Sequence, residues 1–89
     1  MSVKIYIPSS LQPLTSNLEV AEVNGNTIGD CLRQLVKQFP NIENVVFTGD
    51  KRIGVIGLHI NRSKEITRDL AKPVKDGDEL HLLYMLSGG

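Results

Sequence analysis

The sequence predicts a two-layer α+β sandwich, a sheet with one main helix across one face. Three observations carry this. Strand-period alternation marks both ends of the chain, a single strongly amphipathic helical stretch lies between them, and 89 residues allow one modest core. One apolar helical stripe covers only one side of a sheet, so the other side is left to water or a partner.

In chain order, Val3, Ile5 and Ile7 alternate with Lys4 and Tyr6, the period of a half-buried strand, and Pro8 ends the run because it has no N–H for the ladder. "PSSLQPLTSN" reads as a loop. Leu18, Val20, Ala21 and Val23 suggest a second strand closed by the turn residues Asn24-Gly25-Asn26, so the first two strands form a hairpin. Thr27, three residues before Asp30, makes an imperfect capping box. Ile28, Cys31, Leu32, Leu35, Val36 and Phe39 then recur at helical spacing, with Arg33, Gln34, Lys37 and Gln38 opposite and Pro40 as the stop, which gives a helix over 28–39.

Residues 41–54 fit neither period and read as a loop tethered by an apolar anchor at Val45, Val46 or Phe47. "VIGLHIN" is a strand with room for a bulge at Gly57, "NRSKEI" turns into a short weak strand, and "TRDLAKPVKDGD" is a connection holding Leu70 and Val74. The last strand is "ELHLLYML". On it Leu80, Leu82, Tyr84 and Leu86 share one side, and His81, Leu83 and Met85 the other. If the first set faces the helix, Leu83 and Met85 are exposed.

Composition narrows the function classes. Ten basic residues balance ten acidic ones, so the positive field that dominates nucleic-acid binding is missing. No apolar run approaches the roughly 20 residues of a membrane span. The chain opens directly on strand alternation without signal-peptide regions, and its single cysteine forms no internal disulfide, so a cytoplasmic location is expected. Lys51, Arg52, Arg62, Lys64, Arg68, Lys72 and Lys75 are interrupted by acids and read as a solvated surface.

Candidate reactive groups are few. Cys31 falls on the apolar stripe and reads as a small core residue. His59 and His81 lie in strands and lack the ligand spacing of a metal site. Gly77-Asp78 is a turn whose glycine accepts positive φ. No grouping of nucleophile, base and orienting residue suggests an enzyme. What remains is the ending, Ser87-Gly88-Gly89: two residues without Cβ that can thread a narrow channel, then a carboxylate. Fully extended at about 3.3–3.6 Å per residue, these three reach roughly 10 Å.

The strand and helix order, the helix opening "NTIGDCLRQL", and the ending "VKDGDELHLLYMLSGG" resemble the ubiquitin-like sulfur-carrier proteins over essentially the whole chain. The resemblance implies a single β-grasp domain over 1–89, a mixed sheet with one main helix, and a flexible tail at 87–89. "IPSSLQPLT" further resembles the branch that supplies sulfur to a cysteine synthase, although Ser16-Asn17 stand where that branch often has two glycines. Tyr84 stands where the cysteine-synthase and molybdopterin-synthase branches usually carry proline, as in the thiazole-synthesis branch.

The resemblance also implies the chemistry. An E1-like adenylating enzyme would use ATP to activate the Gly89 carboxylate, and a sulfur donor, persulfide or sulfide, would displace adenylate to leave a thiocarboxylate. A cysteine synthase, molybdopterin synthase large subunit or thiazole synthase would consume it. The chain itself would bind no cofactor or metal and would catalyse nothing. His81, Leu83 and Met85 would dock the partner while Ser87 and Gly88 occupy its channel. Two rivals share the fold: a protein modifier joined to lysines through Gly89, and a β-grasp interaction domain without tail chemistry.

Overall fold

The structure, a computed structural model, describes residues 2–46 and 57–83. Strand β1 (Ser2–Tyr6) leads through a 3-10 segment (Ser9–Thr15) to β2 (Val20–Asn24) and helix α1 (Ile28–Gln38). A 3-10 turn (Pro40–Ile42), the short helix α2 (Glu43–Val46), β3 (Gly57–Ile60) and β4 (Glu79–Leu83) follow. The sheet order is β2-β1-β4-β3, with β4 parallel to β1 and the other pairs antiparallel. This is the mixed sheet of the β-grasp, ubiquitin-like class.

Alternation sorts the side chains by face. Val3, Ile5, Ala21, Val23, Leu58, Leu80 and Leu82 are buried from the sheet, against Ile28, Cys31, Leu32 and Leu35 of α1. The helix is capped as its sequence suggests: Thr27 Oγ1 accepts the Asp30 N–H at 3.1 Å, and Asp30 Oδ2 accepts from Asn26 N–H at 3.3 Å. The Arg33 guanidinium, 3.0 Å away, and then the Asn26 N–H hold the Asp30 carboxyl below its ordinary range. The first helical N–H groups, which have no partner within a helix, donate to the following connection: Ile28 to the Lys72 carbonyl at 3.0 Å and Gly29 to that of Leu70 at 2.8 Å. Leu70 and Val74 anchor that connection as expected, Val74 fully in the core.

Three segments differ from the sequence reading. "SSLQPLT" is a 3-10 helix rather than an open loop. Its turn begins with the Leu11 N–H donating to the Pro8 carbonyl at 2.9 Å, and Leu11 and Thr15 are buried. The Thr15 hydroxyl lies 3.2 Å from the Gln12 carbonyl and 3.1 Å from that of Leu18, closing the segment. Residues 40–46 are helical turns, with Ile42 and Val46 both buried; Val46 is the expected anchor, and Phe47 lies outside the described residues. No bulge occurs at Gly57, which pairs in regular register with Leu83. The short strand reduces to a single bridge between Thr67 and Leu58.

Ser16 (φ 54°) and Asn17 (φ 64°) both adopt the left-handed conformation, which costs non-glycine residues about 1–2 kcal/mol each. Glycine suits both positions. Ser16→Gly is therefore expected to stabilise the fold by up to about 1 kcal/mol, part of the relief being offset by the greater freedom glycine has when unfolded. Chemical denaturation measures it, and a loss of stability would contradict the turn geometry. Leu35→Ala, at the fully buried centre of the helix stripe, should cost about 2–5 kcal/mol in the same assay.

Candidate functional site

The position of β4 is set before the strand begins. Gly77 (φ 86°) donates its N–H to the Ser2 carbonyl at 2.7 Å, and the Asp78 carboxylate accepts the Lys75 N–H at 2.8 Å and the Asn61 amide at 3.1 Å. Asn61 also accepts the Glu79 N–H on its side-chain oxygen at 2.9 Å, and the Asp78 carbonyl accepts from Lys4 N–H at 3.0 Å. Strands β1, β3 and β4 are thus tied at one end. At the other end β4 runs out between them toward residues 84–89.

The face turned away from α1 is ordered in rows across the strands. One row is charged: Glu22 pairs with Lys4 and Lys4 with Glu79. In the next row Val20 pairs with Tyr6, Tyr6 with His81, and His81 with His59, all four half-buried. The Tyr6 and His81 rings are stacked with centroids 4.3 Å apart and planes 7° apart. His81 Nε2 lies 3.4 Å from Glu79 Oε1, and His59 Nδ1 donates to the Glu65 carbonyl at 3.0 Å. The bridge of Leu58 with Thr67 places Ile66 beside His59 at the end of this row.

Nearer the end of β4, Leu83 pairs with Gly57. Past the last β1–β2 pair, the Ile7 N–H donates to the Glu19 carbonyl at 2.8 Å. Gly57 is glycine because a Cβ there would run into Ile66 Cγ2 and come within 3.1 Å of the Thr67 carbonyl. The face therefore grades from charged to apolar toward the strand end that leads into the tail.

Of the residues singled out from sequence, His81 and Leu83 share this open face. Leu83 is half-buried rather than exposed, because it lies in a central strand flanked on both sides. Met85, Ser87, Gly88 and Gly89 lie outside the described residues. Sequence reasoning did not bring Tyr6 or Ile66 to the site. Tyr6 was signalled by its alternation against Val3 and Ile5, but Ile66 has no local signal.

Other groups offer no chemistry of their own. Cys31 is buried in the core, and burial, followed by the Asp30 charge, pushes its thiol pKa up, away from the reactive thiolate. Among the described residues no cluster of three or more His, Cys, Asp or Glu is placed to hold a metal, and no helix is long and apolar enough to cross a membrane. A polar groove along Asn24, Asn26, Asp30, Arg33 and Lys37 has its arginine paired to Asp30.

Known proteins resemble this arrangement. Residues 5–89 match the model of the ThiS family. SAMP1 from Haloferax volcanii superposes with a TM-score of 0.80 at 27% identity, covering 100% of both chains. The Amycolatopsis orientalis BexX/CysO complex contains a chain that matches at TM-score 0.82 and 25% identity, covering 98% of this chain and 99% of that one. Mycobacterium tuberculosis CysO shares the fold at TM-score 0.76 and 22% identity, over 94% of this chain and 99% of its own. No curated protein matches the sequence.

The two sides of β4 should respond oppositely to charge. Leu83→Asp, on the open face, is expected to cost about 1 kcal/mol or less. Leu82→Asp, on the core side, would bury an unpaired carboxylate and should cost several kcal/mol, enough to abolish cooperative thermal unfolding. Circular dichroism melts of the two variants check it, and equal losses would refute the register.

Proposed function

The chain belongs to the ThiS family of ubiquitin-like sulfur carriers and modifiers, and from that premise we propose that it carries sulfur as a C-terminal thiocarboxylate on Gly89. The observation that supports this most is the course of β4. A strand locked between β1 and β3 at Gly77-Asp78 carries His81 and Leu83 on the open face, and the sequence that follows it ends in Gly88-Gly89.

The chemistry follows from the inertness of a carboxylate. A Gly89 carboxylate oxygen attacks the α-phosphorus of ATP held by an adenylating enzyme, and pyrophosphate leaves. Hydrosulfide can then attack the acyl carbon and expel AMP, giving the thiocarboxylate directly. A persulfide donor would give an acyl disulfide instead, which a second thiol reduces, the thiol being oxidised to a disulfide as the thiocarboxylate is freed. The thiocarboxylate sulfur is the nucleophile consumed by a synthase for cysteine, molybdopterin or thiazole. In this scheme the carrier supplies the carboxylate, its reach and a docking face including His81 and Leu83, with Met85 continuing it, and leaves ATP and catalysis to its partners. From Leu83 to Gly89 is six residues, a span of at most about 20 Å.

The likeness to SAMP1 favours a second reading, in which the same acyl adenylate is taken by a lysine amine to form an isopeptide bond. Intact mass of protein purified from its host separates the two. A thiocarboxylate exchanges one oxygen for sulfur, whereas a modifier gives a series of larger adducts.

Deleting Gly88-Gly89 removes no core side chain, so the melting temperature should hardly move, yet activation should stop. The Ser87 carboxylate would fall roughly 7 Å short of the reacting position, where misplacement by even about 1 Å can cost a hundredfold in rate. Pyrophosphate release with ATP and the adenylating enzyme measures this. Activation of the shortened protein at the parental rate would sink the proposal.

A further inference from the structure

Strand β2 is an edge of the sheet, with β1 on one side only. The Ile7 N–H donates to the Glu19 carbonyl, so in this register the odd-numbered residues of β2 carry the ladder bonds to β1. Lys4 agrees: it stands opposite Glu22, yet its N–H donates away from β2, to the Asp78 carbonyl. Val20, Glu22 and Asn24 therefore turn their N–H and C=O groups outward, off the sheet. No described residue accepts the N–H of Glu22 or of Asn24. An edge of this kind is a template for another strand.

Helix α1 borders the same edge and shows how it can be used. Gln38 Nε2 donates to the Glu22 carbonyl at 3.0 Å, standing where the N–H of an added strand would stand. Beside it, between the end of β2 and α1, lies the polar groove, with a volume of about 290 Å³. Asp30, Arg33, Gln34 and Lys37 reach it from one face of the helix, at i, i+3, i+4 and i+7. The groove thus has two cations and one carboxylate, and that carboxylate is already paired with Arg33. Lys37 is exposed, and no described carboxylate pairs with it.

We infer that the outer edge of β2 and the groove beside α1 bind an extended acidic segment of another protein, which adds to the sheet as a further strand. The inference goes beyond the sulfur-carrier reading, since it uses neither Gly89 nor the open face of the sheet. Alternate side chains of an added strand point to the same side, so every second one lies toward α1 and the groove. Carboxylates at those positions meet Lys37 and the amide groups of Asn24, Asn26 and Gln34. Backbone bonds to Glu22 and Asn24 supply attachment, and the groove supplies the preference for negative charge. A second copy of this chain fits poorly: two β2 edges paired antiparallel about their middle residue would set Glu22 directly opposite Glu22, and like charges so placed are destabilising.

The test titrates the full-length protein, labelled for NMR, with a short acetylated peptide alternating valine and glutamate, and with the same peptide carrying lysine in place of glutamate. The glutamate peptide should bind saturably, at least about tenfold tighter than the lysine peptide, and less tightly as salt is raised. On binding, the Glu22 and Asn24 amides should become protected from hydrogen exchange, and the resonances of Lys37 should shift. Glu22→Pro removes only an outward N–H, as prolines on edge strands do, and should weaken binding about tenfold or more. Lys37→Glu, which touches neither core nor ladder, should weaken it about fivefold with the melting temperature within about 3 °C of the parent, and it decides the matter if the proline variant does not fold. Equal binding of the two peptides, no saturable binding, or protection confined to amides elsewhere would overturn the inference. So would a parent that self-associates in sedimentation while Lys37→Glu or Glu22→Pro is monomeric, which would give the edge to a second copy.

Discussion

The parallel pairing of β4 with β1 is the constraint on which the rest of the structure depends. Parallel neighbours cannot be joined by a tight turn, so the pairing requires a long crossover, and here the crossover contains β2, α1 and β3. Its register is held by a small set of bonds around Gly77-Asp78. The Asp78 carboxylate takes two of them, from the Lys75 N–H and the Asn61 amide, and bonds to charged groups contribute about 1.5–3 kcal/mol each. A slip of one residue would turn Leu80 and Leu82 out of the core and His81 and Leu83 in.

Because the core is built on one side only, the same alternation that stabilises the fold leaves a second face for recognition. Leu80 and Leu82 pack beneath α1, while His81 stands between Tyr6 and His59 and Leu83 beside Gly57. Half-burial of that second set comes from lateral neighbours in adjacent strands, and the Tyr6–His81 stack is its clearest instance. A surface ordered in this way loses little side-chain freedom on docking, so less of the contact energy is spent on ordering it.

Both proposed fates of Gly89 ask the same of this chain. The carboxylate must be carried clear of the globule, pass through a channel without Cβ atoms in the way, and reach a bound nucleotide. Whether sulfur or a lysine nitrogen then attacks is decided by the nucleophile the partner presents. The chain keeps its own thiol out of that choice, since Cys31 is enclosed by the core and held protonated by burial.

The sequence alone determined whatever depends on local period and local backbone chemistry. The buried set Val3, Ile5, Leu80 and Leu82, the helix stripe from Ile28 to Leu35, the Thr27 cap, the stop at Pro40 and the glycine turn at Gly77 were all legible, because each is encoded within a few neighbouring residues. So was the family resemblance carried by the ending. Tertiary structure decided what depends on residues distant in the chain. "SSLQPLT" and residues 40–46 became helical turns because Leu11, Ile42 and Val46 had a core to enter, and no period in those segments announces it. Leu83 is half-buried because β4 is central, and strand order is a matter of hydrogen bonds between segments more than 70 residues apart. Ile66 came beside His59 through one bridge to Leu58. Period fixes which side of its own strand a side chain takes, but only the assembled sheet determines which side chains share a surface.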